Sequence, residues 1–157
     1  MIWGMSATDD AGRGPILVSA CLVGAACRYD GAARTDAALV AELTGGGGPW
    51  VLLCPEQMAG LPTPRARSFF VGGPGADVID GRACVMNADG TDVTDAFLAA
   101  ARQVVALCRE WGVRRAILKD RSPACGCTCV YVGEQLTPGR GVTAEALAQA
   151  GIELECR

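Results

Sequence analysis

Nine cysteines and no histidine set the chemistry open to this 157-residue chain. Three cysteines stand at or just past apolar runs: Cys21 after PILVSA (15–20), Cys54 at the end of WVLLC (50–54), and Cys125 a few residues beyond RRAILK (114–119). Thiolates are soft donors that select zinc or iron–sulfur centres over hard cations. The lack of histidine excludes Cys–His catalysis, histidine-containing zinc sites and a near-neutral imidazole base. Three thiolates form an incomplete shell. A structural zinc site is normally closed by four ligands, whereas an iron–sulfur cube held by three cysteines keeps one iron free to act on a substrate. These residues by themselves leave the metal open.

The other cysteines read as structural first. Cys84 and Cys108 sit in apolar contexts, as buried inert thiols do, and Cys156 near the end reads as incidental. Cys27, Cys127 and Cys129 read as small turn-filling residues, ahead of a spare metal site or a sulfur relay. Glu56, taken alone, is a helix cap or an arginine partner. Ser122-Pro123 is a turn signal, and RYDG (28–31) is a turn with an ion pair. The runs GGGGP and GGPG lack the lysine and hydroxyl of a phosphate loop, which argues against nucleoside triphosphates.

The elements that must position these groups follow from periodicity. Residues 15–20, 50–54 and 114–119 read as strands buried on both faces. Helical spacing covers 36–43 behind a Thr35 cap. It also covers 94–111, with Thr94 and Asp95 at the start and Gly112 at the end, and 143–150 before Gly151. IELEC (152–156) reads as a closing strand, 77–86 as short extended pieces around a turn, and 55–68 as a long proline- and arginine-rich connection. Helices alternating with apolar strands predict an α/β fold: one three-layer, Rossmann-like domain with a mainly parallel sheet over 15–157, behind a flexible tail at 1–14. Loops after the carboxyl ends of parallel strands share one edge. Cys21, Cys54 and Cys125 are therefore expected to converge.

Half of the residues are hydrophobic and a fifth charged, a globular composition. The net charge of −3 gives no general attraction to nucleic-acid phosphates or anionic membranes. No apolar run approaches the ~20 residues that span a bilayer, and the first 14 residues lack the pattern of a secretory signal. A cytoplasmic location is expected, where thiols stay reduced and serve metal binding or catalysis in place of a disulfide framework.

Five blocks then occur in order: VSACLVGAACRYDG (18–31), CPEQMAGLPTPR (54–65), DVT (92–94), LKDRSPACG (118–126) and GRGVTAEAL (139–147). Together they resemble the thiouracil desulfidase (TudS) family. The resemblance implies a 4Fe-4S cluster held by Cys21, Cys54 and Cys125, with its free iron capturing the sulfur of a thiolated nucleobase such as 2-thiouracil. It implies non-redox replacement of C=S by C=O with release of hydrogen sulfide. Glu56 matches the acidic residue after the second ligand; desolvation would raise its pKa and let it take a proton from the attacking water. Ser122 matches the serine ahead of the third ligand, placed to hydrogen-bond the substrate or pass a proton. Arg28, Tyr29, Asp30 and Arg65 would line the pocket and grip the ring's polar edge. The chain departs from the family pattern at Cys27, where an aliphatic residue is usual, and at Ala124, where a second serine is common. The rival classes are a zinc-stabilised, non-catalytic binding domain built on CGCTC plus a distant thiol, and a cluster-free cysteine sulfurtransferase.

Overall fold

The computed structural model describes residues 2–4, 14–46 and 48–157. In chain order the elements are β1 (Ile2–Gly4), β2 (Ile16–Ser19), a 3-10 turn (Ala20–Val23), α1 (Ala37–Thr44), β3 (Trp50–Leu53) and α2 (Pro55–Met58). They continue as β4 (Ser68–Val71), α3 (Gly75–Ile79), β5 (Cys84–Asn87), α4 (Thr94–Trp111) and β6 (Arg115–Leu118). The chain ends in β7 (Cys129–Val132), β8 (Gln135–Pro138), α5 (Val142–Gln149) and β9 (Glu153–Cys156).

Two sheets form. The larger has the order β1-β3-β2-β6-β9, with β3, β2, β6 and β9 parallel and β1 antiparallel on the edge. The smaller has the order β5-β4-β7-β8, and only its β4–β7 pair is parallel. The larger sheet is buried on both faces, which is why its strands read as unbroken apolar runs. Leu17, Val51, Leu53, Ala116 and Leu118 belong to a cluster with Val104, Val105 and Cys108 of α4 and Leu147 of α5. Val18, Leu52 and Ile117 belong to a second cluster with Leu39 and Leu43 of α1. Each fully buried aliphatic side chain contributes about 1.5–3 kcal/mol, so these strands are held by packing as well as by their ladders.

α4 is the longest helix, and Phe97, Ala100, Ala101, Val104, Val105 and Cys108 form its buried stripe. It stops at Gly112, whose φ of 71° and N–H to the Cys108 carbonyl make a left-handed C-cap. Thr94 does not cap this helix, because its hydroxyl accepts the Val85 N–H at 2.9 Å and so ties the helix start to β5. α1 is capped by Asp36, not Thr35; the Asp36 carboxylate accepts the Leu39 N–H at 3.0 Å.

Periodicity did not reveal the smaller sheet. Residues 77–86 contain the end of α3 and the start of β5, and the CGCTCVYVG stretch runs into the β7–β8 hairpin. The stretch expected as a tail contributes β1, paired from Ile2↔Leu52 to Gly4↔Trp50. An edge strand offers unpaired N–H and C=O groups, which another strand satisfies whatever its side-chain pattern. Residues 5–13 of that expected tail lie outside the described residues.

Candidate functional site

The carboxyl ends of β2, β3 and β6 open onto a cavity of ≈590 Å³. Cys21, Cys54 and Cys125 all line it, together with Cys27, Glu56 and Ser122. The expected convergence of the three strand-end thiols is therefore met. Cys21 sits on the 3-10 turn after β2, and its carbonyl accepts the Arg34 N–H at 2.9 Å. Cys54 is the N-cap of α2, with Pro55 at the first helical position and Glu56 in the first turn. Proline there suits the fixed φ and the absent donor of that position.

Cys125 is held by a tight turn. The Ser122 hydroxyl oxygen accepts the Ala124 and Cys125 N–H groups at 3.2 and 3.0 Å, and the Gly126 N–H reaches the Ser122 carbonyl at 2.8 Å. The GRG stretch and the start of α5 lock this turn from outside. Gly141, Val142 and Ala144 donate to the carbonyls of Gly126, Pro123 and Ala124 at 2.8, 2.9 and 3.0 Å. A Cβ on Gly141 would lie 2.5 Å from the Ala124 carbonyl oxygen, so only glycine lets the two backbones approach. Just upstream, Arg121 has φ 62°, a left-handed conformation uncommon outside glycine, and it also lines the cavity.

Glu56 accepts from Arg65 Nε at 3.3 Å, and the Arg65 side chain is only 2% exposed. The same guanidinium donates to the carbonyl of Cys27 at 2.9 Å, to that of Pro62 at 3.2 Å and to the Thr63 hydroxyl at 3.1 Å. Arg65 thus clamps the Cys27 loop to α2, and its donors are engaged by protein. Arg28, Tyr29 and Arg65 line the cavity. Asp30 is not among the lining residues; it accepts the Ala32 N–H at 3.0 Å and pairs with Arg28 at 3.7 Å.

The electrostatics favour the protonated form of Cys27, Cys54 and Cys125. Burial pushes Cys125 up to about 12, against hydrogen bonds from Ser19 and Ser122 that pull it down. Cys54 is raised by its hydrogen bond with Cys27 and by burial, and Cys27 is raised by its hydrogen bond with Cys21. Such thiols are weak nucleophiles until a metal displaces their protons. This counts against Cys27, Cys54 or Cys125 as the nucleophile of a cluster-free sulfurtransferase.

Sequence reasoning did not pick out Ser19, Arg67, Lys119, Asp120 or Tyr131, all of which line the cavity. The Ser19 hydroxyl accepts the Lys119 N–H at 3.0 Å and reaches Cys125. Burial lowers the Lys119 pKa while the nearby Cys21 opposes the shift, and its Nζ donates to the Asp120 carbonyl at 2.7 Å. Both positions were visible at the carboxyl ends of strands, Ser19 closing β2 and Lys119 following β6. Arg67 stacks on the Tyr131 ring at 4.6 Å, and these two come from the sheet that the pattern concealed.

Cys127 and Cys156 are joined as a disulfide, with Cα atoms 6.0 Å apart. This corrects the readings of Cys127 as turn filler and Cys156 as incidental. β9 lies beside β6, and Asp120 accepts the N–H groups of Cys127, Thr128 and Cys129, gathering CGCTC onto that edge. Among the described residues, Asp120, Cys127 and Cys156 also place donor atoms within 4.8 Å of one another, but the disulfide engages both sulfurs. The trio of Cys21, Cys54 and Cys125 is not so compact. One zinc ion with Zn–S bonds of about 2.3 Å would draw its sulfurs to within about 4 Å of each other.

This chain is similar to known proteins at three levels. The family model described as 2-thiouracil desulfurase matches residues 16–157. YbbK of Bacillus subtilis (strain 168), an uncharacterised protein, is 40% identical over 146 residues, which cover 88% of this chain and 93% of that protein. The solved structure of a 4Fe-4S-dependent thiouracil desulfidase, TudS, superimposes with a TM-score of 0.76 at 33% identity, over 92% of this chain and 91% of that one.

Proposed function

Because the chain belongs to the 2-thiouracil desulfurase family, we propose that it is a 4Fe-4S-dependent desulfidase converting C=S to C=O on thiolated nucleobases such as 2-thiouracil. The observation that carries this reading is the convergence of Cys21, Cys54 and Cys125 from three strand ends into one cavity beside Glu56 and Ser122. The donor set suits the cluster: three sulfurs, no histidine in the chain, and a spread wider than a single ion requires.

Cys21, Cys54 and Cys125 would hold the cluster. When bound, it supplies a Lewis-acidic iron that draws electron density from the thione sulfur and makes the ring carbon electrophilic. Glu56, oriented by Arg65, takes a proton from the water that attacks this carbon. Ser122 has its oxygen engaged by two backbone N–H groups and hydrogen-bonds with Cys125, so its hydroxyl hydrogen stands at the ligand sulfur beside which the thione would bind. Arg28 and Tyr29 face the polar edge of the ring, while Arg65 serves the reaction through Glu56. The Lys119 ammonium near Cys21 offsets the anionic charge that thiolates bring to the cavity. The water's oxygen ends on carbon, its two hydrogens leave with sulfide, and no electrons are transferred.

The same reading takes the five-stranded sheet as the centre of a three-layer, Rossmann-like stack, supported by the separate apolar clusters that its strands join. It places the enzyme in the cytosol, supported by seven free thiols of nine, with the Cys127–Cys156 pair as the exception. No helix among the described residues is long and apolar enough to cross a membrane. A cavity of this volume suits one base, not a polymer.

Anaerobically prepared protein should be brown, contain iron and acid-labile sulfide, and release sulfide from 2-thiouracil. Cys21→Ala, Cys54→Ala and Cys125→Ala should each lose cluster and turnover, whereas Cys108→Ala, on the buried stripe of α4, should keep both. A colourless protein carrying zinc would overturn the reading.

A further inference from the structure

We propose that Cys127, Cys156 and Asp120 form a separate metal site, which takes zinc once the Cys127–Cys156 disulfide is reduced. The three residues place donor atoms within 4.8 Å of one another. Of the three, Asp120 alone lines the cavity of the cluster ligands, so the site stands whether or not the chain carries a cluster. It gives a part to the CGCTC stretch and to Cys156, the distant thiol that β9 brings beside it.

Backbone contacts hold these donors together independently of the sulfur–sulfur bond. The Asp120 N–H reaches the Arg157 carbonyl at 2.9 Å, and the Arg157 N–H returns to the Leu118 carbonyl at 2.9 Å. The Cys127 N–H donates to the Asp120 carboxylate at 3.1 Å. With these bonds in place, the Cα atoms of Cys127 and Cys156 stay near their 6.0 Å separation after reduction. The freed sulfurs then part to the roughly 4 Å that two Zn–S bonds of about 2.3 Å span. Asp120 suits a third position. Its Oδ1 accepts the N–H groups of Cys127, Thr128 and Cys129 and its Oδ2 the Thr128 hydroxyl, which fixes the carboxylate and leaves Oδ2 a lone pair. A further donor stands close by in Cys129, a free thiol 3.9 Å from that oxygen. All these residues are half-buried, within reach of an ion from solvent. Two thiolates with one carboxylate select zinc over hard cations.

The steps balance with a dithiol as reductant. It delivers two electrons and two protons to the disulfide and becomes a disulfide itself. Zinc then displaces both thiol protons to solvent and bonds to the two sulfurs. Lys119 Nζ, 2.7 Å from the Asp120 carbonyl, offsets part of the negative charge that the ligands bring. Where thiols are kept reduced, the ion takes over from the disulfide as the link between the turn of Cys125 and the last strand.

The test uses cluster-loaded protein, in which iron occupies Cys21, Cys54 and Cys125. Wild type, Cys127→Ser, Cys156→Ser and a control, Cys84→Ser on β5, are reduced anaerobically with a phosphine, given zinc chloride, desalted and assayed for zinc. Reduced wild type and control should retain about one zinc per chain more than unreduced wild type, and the two site variants several-fold less. Zinc-edge X-ray absorption of wild type should show sulfur at about 2.3 Å together with a lighter oxygen neighbour. Zinc should also restore most of the Tm that reduction removes from wild type, and none in Cys156→Ser. Reduced wild type that takes up no zinc, or zinc uptake equal in wild type and both site variants, would overturn the site. If no iron loads, the functional reading fails, and the same comparison is made in a chain carrying Cys21→Ser, Cys54→Ser and Cys125→Ser, so the two failures stay distinct.

Discussion

Glu56 carries two demands in one carboxylate: it forms a buried ion pair with Arg65, and it lines the cavity next to Cys54. Removing its charge while keeping its shape separates the two. Glu56→Gln should load a normal cluster, judged by iron content and absorption, yet lose about 10²-fold or more in kcat for 2-thiouracil. The thiols supply a second prediction at this scale. Burial raises Cys125 to about 12 and Cys108 to about 11 from an ordinary 9.0. The folded apo-protein therefore binds these protons more tightly than the unfolded chain, and the resulting stability is intact below pH 9 and lost as pH climbs from 9 to 12. Urea melts of the apo-protein should show a flat midpoint from pH 7 to 8.5 and a falling one above pH 9, with a shallower fall in Cys108→Ala. The three ligand positions were legible because each cysteine follows an apolar strand. The role of Arg65 was not: its partners are two carbonyls, a hydroxyl and a carboxylate that tertiary folding brings together, and nothing in PTPR announces them.

Among the elements, the start of α5 does most to fix the third ligand, although it contributes no residue to the cavity lining. Its backbone donors and the glycine before it press on the turn that presents Cys125. Gly141→Ala should push the Pro123–Ala124 backbone outward, lower the cluster occupancy per chain by half or more, and leave far-UV circular dichroism unchanged; parallel iron assays and spectra check this. Four strands of the five-stranded sheet, β2, β3, β6 and β9, and the three longest helices were readable from apolar runs and periods, whereas β1 was not. The smaller sheet was not, because its strands carry exposed and half-buried positions in place of an unbroken apolar run. β4 and β5 bury Ser68 and Asn87, which satisfy each other through a 2.6 Å hydrogen bond. A polar pair at core positions looks like a loop when read in one dimension. Tyr131 and Arg67 were hidden with that sheet.

For the whole molecule, the Cys127–Cys156 bond links the ligand turn to the last strand across 29 residues of sequence. Closing a loop of that length contributes about 3–4 kcal/mol through the unfolded chain. Reduction of apo-protein should therefore lower Tm by roughly 10 °C, read by calorimetry with and without a phosphine reductant. Cys156→Ser should show the lower Tm in both conditions. Neither cysteine's spacing foretold the pair, since it depends on β9 settling beside β6. The same separation in sequence governs how the protein comes to hold its metal. Its sulfur donors are far apart along the polypeptide, and the two apolar clusters are built mainly of other side chains, with Cys125 in one and Cys21 in the other. Unlike a zinc finger, whose ion drives its collapse, a newly synthesised copy adopts its shape first and is filled afterwards through the cavity mouth. Scarcity of iron would leave a well-formed but idle protein in the cell, ready to be charged when supply returns.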